Sequence, residues 1–190
     1  MTRSEPPDVV DAGRLTLRRP RPDDGAALYE AVVASADHLR PWMPWAGGFT
    51  PEMAEAFVAG RLGDPEADAN YLVWDGDAAL VGGSGLHRRL GPAAIEVGYW
   101  VHVAHTRRGY ASLAAAALTS VAFSLAGVDA VEIHHDEANT ASRAVAQRLG
   151  FVHVATRPDE PLAPGEVGVG WQWRMARQAW PANAGARLLA

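Results

Sequence analysis

Residues 94–118 read AIEVGYWVHVAHTRRGYASLAAAAL, and the fold turns on this stretch. Its first part places apolar side chains at every second position (Ile95, Val97, Tyr99, Val101, then Val103), the period of a β-strand. A short basic turn follows, Thr106-Arg107-Arg108-Gly109-Tyr110-Ala111, and leads into an alanine-rich helix. A strand that feeds a helix through a glycine turn leaves backbone N–H groups unpaired at the helix start. Those donors, with the positive end of the helix dipole, favour anionic groups and phosphates above all. Arg107 and Arg108 add mobile positive charge. The first expectation is therefore a phosphate-bearing ligand held at Arg107, Arg108, Gly109, Tyr110 and Ala111.

The bulk composition narrows the classes around that turn. A chain of 190 residues, 48% hydrophobic and 21% charged, is long enough for one domain with a full core. We expect a single domain over 1–190, with loose termini at 1–12 and 177–190. The formal net charge of −5 argues against a nucleic-acid coat or an anionic-membrane binder. The absence of cysteine removes disulfides, thiolate metal sites and a cysteine nucleophile. No apolar run approaches the ~20 residues of a membrane span, and the N-terminus has no apolar signal core, so a cytoplasmic location is expected.

Outward from the central stretch, Arg14–Arg18 alternates as a strand ended by Pro20 and Pro22, and Asp23 or Asp24 is placed to cap a following helix. His38–Trp45 sets two tryptophans between two prolines, which excludes a long helix. Trp42 and Trp45 there serve either as core anchors or as an aromatic wall on a substrate pocket. Thr50-Pro51-Glu52 opens a helix expected to reach about Leu62, closed by Gly63 and Asp64-Pro65. Tyr71–Trp74, the turn Asp75-Gly76-Asp77 and Leu80–Leu86 read as a hairpin, with Gly82, Gly83 and Gly85 allowing close backbone approach. After the alanine-rich helix come a strand at 130–134, a helix from Asn139 to about Leu149 closed by Gly150, and a strand at 151–155. A Pro/Gly-rich connection over 158–170 leads to a last strand at 170–175. Hairpins in one half and strand–helix–strand passages in the other make an α+β chain. About seven strands are expected in a mixed, mostly antiparallel sheet.

This order, with these residues, resembles the GNAT superfamily of N-acyltransferases and within it the RimJ/RimL branch. The resemblance rests on Arg14–Arg18, the aromatic segment His38–Trp45, Glu96–Val101, and Asn139, Ser142 and Leu149-Gly150-Phe151. In that superfamily the turn reads Gln or Arg, two free positions, Gly, one free position, then Gly or Ala. Here Thr106 stands first, a departure that leaves the backbone amides in place.

The resemblance implies a splayed central sheet whose gap takes the pantetheine arm of acetyl-CoA, with CoA as product and no metal. It places the pyrophosphate on the turn amides and the pantetheine on backbone groups of Val101, His102 and Val103. Asn139 would hydrogen-bond the arm, and Ser142, on the same helix face, would protonate the leaving thiolate. Helix capping by Asn139 is the alternative for that residue. Glu96, a carboxylate among apolar strand residues, is either the base at the end of a water chain or a structural acid tied to an arginine. His87, His102 and His135 are the other proton acceptors, and His87 is also placed at the substrate. His134 and His135, adjacent on a strand, point to opposite faces and make no metal site. The expected activity is acetyl transfer to a primary amine, either a protein N-terminus or a small amine, by direct attack in a ternary complex. A larger donor such as succinyl-CoA, or a non-catalytic CoA-binding module, are the alternatives, and a homodimer is compatible with either.

Overall fold

The computed structural model describes residues 3–64, 66–76, 79–182 and 184–189. Its strands are β1 (Val9–Ala12), β2 (Leu15–Arg18), β3 (Asp68–Asp75), β4 (Ala79–His87), β5 (Ala94–Val101), β6 (Ala130–Asp136), β7 (Val152–Pro158) and β8 (Val169–Ala176). They form one open sheet in the order β1-β2-β3-β4-β5-β6-β8-β7. Only β5 and β6 run parallel; the other neighbours are antiparallel. The α+β expectation holds, with eight strands among the described residues where about seven were expected.

The extra strand corrects the expectation of a loose lead-in. Val10 and Ala12 are buried while Val9 and Asp11 are exposed, so residues 9–12 lie as a half-buried edge against β2. The C-terminal tail is anchored too. The Arg177 guanidinium donates to the carbonyls of Phe123, Leu125 and Val128, and Trp180 is buried against Phe123. Neither anchor shows in the sequence, since Val9 is as apolar as Val10 and the Arg177 and Trp180 contacts are isolated long-range ones, which is why neither terminus could be placed from pattern alone.

Strand alternation gives the sheet two dressed faces. One packs on α4 (Tyr110–Ser124), where Ala114, Ala115, Ala116 and Ala117 are buried and let the helix lie close to Val81, Ile95, Val97 and Val131. The other carries α1 (Gly25–Ala34), α2 (Ala36–Leu39) and α3 (Pro51–Val58), with Leu28, Val32, Ala54 and Val58 against Leu72 and Leu80. α5 (Thr140–Arg148) and α6 (Ala184–Arg187) complete the set. Thr50 caps α3 as expected, accepting from the Met53 N–H. α3 ends at Val58 rather than Leu62, because Gly60 takes φ +69 and turns the chain out of the helix. Asp24 does not cap α1. Its carboxylate holds Arg18 at 2.6 and 2.7 Å and the Arg21 N–H at 2.7 Å. Of the expected turn residues, Pro65 and Asp77 lie outside the described residues.

Two features shape the cleft beside β5. β5 and β6 pair only at Ala94–Ala130, Ile95–Val131 and Glu96–Glu132, then part. Beyond β6, the Asp136 carboxylate gathers the N–H groups of Ala138, Val167, Gly168 and Val169 at 2.9–3.2 Å and ties the 158–170 connection to the start of α5.

Gly82 lies where β4 meets β5, and a methyl group there would sit 2.2 Å from the Trp100 carbonyl oxygen. Gly82→Ala is therefore expected to lower unfolding free energy by about 1–3 kcal/mol in urea denaturation, since the obstacle is backbone. Asp136 gives a pH test. Desolvation opposes its charge, but its backbone donors outweigh that and hold the carboxyl below the usual carboxylate range. A depressed folded-state value means its stabilisation is fully present above the unfolded value of ~3.9 and is lost as pH falls through the folded one. Asp136→Asn should cost about 1–2 kcal/mol at neutral pH, and the gap to wild type should close below about pH 4 in paired denaturation curves.

Candidate active site

The site begins where β5 leaves β6. The His102 N–H donates to the Val81 carbonyl at 2.9 Å, which fixes the phase of the antiparallel ladder. By alternation Gly98 and Trp100 bond to β4, while the backbone groups of Tyr99 and Val101 face the gap left by β6. This corrects the expected trio. Val101 stays at the gap, but His102 and Val103 do not. The Val103 N–H donates to Ser35 Oγ at 3.0 Å, and the carbonyls of His102 and Val103 accept from His105 and Thr106 within a 3-10 turn at Val103–His105. The ladder phase moves the free edge back by one residue, from 102 to 101 and 99.

A cleft of about 770 Å³ runs from this gap to the start of α4. The turn before α4 has the form a phosphate cradle needs. Gly109 takes φ +81 and Arg107 φ +60, a left-handed conformation uncommon for a residue with a side chain. No side chain caps α4, so its first N–H groups, at Tyr110, Ala111 and Ser112, have no intrahelical acceptor. Arg107 and Arg108 are exposed beside them. Among the described residues neither forms an ion pair. The Tyr110 side chain is not part of the cradle. It is buried, its hydroxyl bonding Asp75 and accepting from Arg14, and it pins the helix start from inside.

Across the gap, Asn139 caps α5, its Oδ1 accepting from the Ser142 N–H at 3.0 Å. The capping alternative is thus realised, and only Nδ2 remains to donate into the cleft that Asn139 lines. Ser142 faces β5, with Oγ 2.9 Å from the Tyr99 hydroxyl. Burial pushes that hydroxyl well above the ordinary phenol value, against a smaller opposing effect of Ser142, so it stays protonated. The Tyr99–Ser142 pair was not foreseen, because a strand tyrosine in an apolar pattern reads as core.

Glu96 is the structural acid and not a free base. Arg89 grips it through Nε–Oε2 at 2.7 Å and Nη2–Oε1 at 2.6 Å, and it lines neither cavity. His135 is committed at both ring nitrogens, to the Asp136 carbonyl and the Trp173 indole N–H, and burial lowers its proton affinity. His102 lies in the turn, with Nδ1 accepting from the Ala104 N–H, and burial and then His105 lower it. No group of three or more His, Cys, Asp or Glu among the described residues is arranged for a metal ion.

The two tryptophans separate. Trp42 lines the cleft, whereas Trp45 lines a second cavity of about 610 Å³ between α3 and the sheet. His87 lies in this second cavity with Asp68, Asn70 and an apolar wall of Phe49, Met53 and Phe57. Met43, Arg89, Gly98, Tyr99 and Trp100 border both cavities, so the two meet at β5.

A family model described as an acetyltransferase (GNAT) domain matches residues 14–152. No curated protein matches the sequence. Among solved structures, Mycobacterium smegmatis RimJ in complex with CoA-disulfide is 24% identical, with a TM-score of 0.83 over 99% of this chain and 96% of that one. RimL, a ribosomal L7/L12 alpha-N-protein acetyltransferase in complex with coenzyme A, is 20% identical, with a TM-score of 0.78 over 88% of this chain and 97% of that one. The microcin C7 self-immunity acetyltransferase MccE, in complex with acetyl-CoA and AMP, is 16% identical, with a TM-score of 0.79 over 90% and 97%. At these identities the structures share the fold, and the family model, which spans the greater part of the sequence, sets its kinship: the chain belongs to the GNAT acetyltransferase family.

Proposed function

We propose that the protein transfers an acetyl group from acetyl-CoA to a primary amine, either a protein N-terminus or a small amine, in a ternary complex. The observation that carries this is the fork between β5 and β6, with an uncapped helix start at one end and the Tyr99–Ser142 pair at the other. The first-turn N–H groups of α4 and the side chains of Arg107 and Arg108 would hold the pyrophosphate. The free edge of Tyr99 and Val101 and the Nδ2 of Asn139 would hold the pantetheine arm. Bound there, acetyl-CoA supplies an acyl group activated as a thioester. Tyr99 supports this placement because it borders both cavities and its N–H faces the gap, where a developing oxyanion needs a donor. Ser142 Oγ, in contact with a tyrosine hydroxyl that stays protonated, is placed to give a proton to the departing sulfur. The solved relatives add support: two carry CoA or CoA-disulfide, a third carries acetyl-CoA, and a fourth modifies the N-terminal serine of ribosomal protein L7/L12.

Acetyl-CoA at about 100 times its dissociation constant should add ~2.7 kcal/mol to folding stability, a melting shift of roughly 5–10 °C. No shift with any acyl-CoA would remove the cofactor assignment. Ser142→Ala should lower kcat about 100-fold and Tyr99→Phe about tenfold, both with the shift retained. Full turnover by Ser142→Ala in a thiol-release assay would show that another group protonates the sulfur.

A further inference from the structure

The second cavity has two chemically different ends. Its walls are apolar: Met43, Trp45, Phe49, Met53, Phe57 and Trp100. Trp45 packs edge-on against Trp100 at 6.3 Å and against Phe49 at 5.8 Å, which makes a fixed aromatic corner. The floor is bare backbone, because Gly83, Gly85 and Gly98 stand side by side on β4 and β5. A methyl group on Gly83 would strike the Trp100 indole at 2.5 Å. One on Gly85 or Gly98 would come within 2.9 or 3.1 Å of His87 Nε2. Trp100 and His87 therefore occupy the space that side chains at these glycines would fill.

His87 is held from behind. Its Nδ1 lies 2.8 Å from Asp68 Oδ1, and Asp68 Oδ2 accepts from the Asp64 N–H at 3.3 Å. A carboxylate at Nδ1 selects the tautomer with the proton there and leaves the Nε2 lone pair free, the orienting role an acid plays in catalytic triads. That lone pair lies over Gly98, the residue before Tyr99, whose hydroxyl meets Ser142 on the other face of the sheet. The charged groups around His87 are Asp68 from β3, Glu96 from β5, and Arg89 just beyond β4, which Glu96 already engages.

We propose that this cavity is the acceptor site for a primary amine borne on an apolar or aromatic body, with His87, oriented by Asp68, receiving the proton the amine gives up. The proposal rests on the acetyl-CoA reading of the cleft. The apolar body lies against the Trp45–Phe57 wall and the nitrogen over the Gly85–Gly98 floor. As the N–C bond forms and the thioester C–S bond breaks, one proton passes from nitrogen to His87 Nε2. The sulfur takes one proton from Ser142 Oγ, which regains one from solvent as His87 releases its own, so the products are a neutral amide and a thiol and both side chains return to their starting states. The same chemistry arises in a free arylalkylamine and in a peptide whose first residue is large and apolar.

The test uses the full chain with acetyl-CoA, 2-phenylethylamine, and matched peptides beginning with Phe, Leu, Ser or Asp. The apolar acceptors should exceed the Ser and Asp peptides at least tenfold in kcat/KM. Preference for phenylethylamine or for the Phe and Leu peptides tells a small amine from a chain end, and superior Ser or Asp peptides overturn the apolar assignment. His87→Gln should lose at least 100-fold in kcat and Asp68→Asn at least tenfold. Both variants should keep the acetyl-CoA melting shift, which shows a folded protein with an intact cofactor cleft. An undiminished kcat in His87→Gln overturns the proton-accepting role. Two readouts need no turnover. Calorimetry should show 2-phenylethylamine binding to the free protein and weakening in Trp45→Ala, and imidazole 15N spectra should show His87 protonated at Nδ1 in wild type and redistributed in Asp68→Asn. Absent amine binding overturns the pocket, whereas an absent acetyl-CoA shift in wild type counts against the cofactor reading alone.

Discussion

The parting of β5 from β6 after Glu96 is the constraint on which the rest of the structure depends. Its base is an unfavourable juxtaposition, since Glu96 and Glu132 stand opposite one another in the last paired row. That row extends over five strands as Asp68, His87, Glu96, Glu132 and Arg174. The two carboxylates are tolerated because Arg89 grips Glu96, Arg174 reaches Glu132 at 3.2 Å, and His134 lies between them, 2.6 Å from Glu132 and 3.7 Å from Glu96. Removing one partner of such a cluster would leave a buried charge uncompensated. The clasp closes the sheet at the bottom of the fork, and above it the chain has no ladder partner to offer β5.

The elements around the fork keep it open. α4 presses its buried alanines on β5 from one side and ends its first turn at the mouth of the cleft. α5 stands across the gap, its start fixed twice over, by the Asn139 cap and by Asp136 drawing in the 167–169 backbone. The cleft is thus framed by backbone more than by side chains. That agrees with an acetyltransferase family membership at identities of 16–24% to its solved relatives.

What was legible in the residues was local. The alternation of 95–101, the Thr106–Ala111 turn, the Thr50 cap and the glycines of β4 each declare themselves within a few positions and stand where expected, and the Asn139 cap is the alternative weighed for that residue. What escaped depends on register. Whether Val101 or His102 presents its N–H to the gap is set by a ladder phase that no pattern within β5 encodes. Asp68 and His87 are nineteen residues apart and meet only because β3 and β4 pair as they do. The arginine partner of Glu96 was anticipated as a type but not as Arg89, and the capping of α1 failed because Arg18, on the preceding strand, reached Asp24 first. The RimJ/RimL resemblance supplied the plan of the cleft. Of the second cavity's apolar wall, Trp45 was one of the two tryptophans offered as a pocket wall, while Phe49 and the α3 residues Met53 and Phe57 came from tertiary packing.

Since Gly98, Tyr99 and Trp100 border both cavities, the two spaces meet across one strand rather than lying apart. On the proposed reading, a bulky nucleotide carrier enters on one side and the amine on the other, and neither must leave for its partner to arrive. On that reading the architecture imposes no fixed order in which carrier and acceptor must arrive.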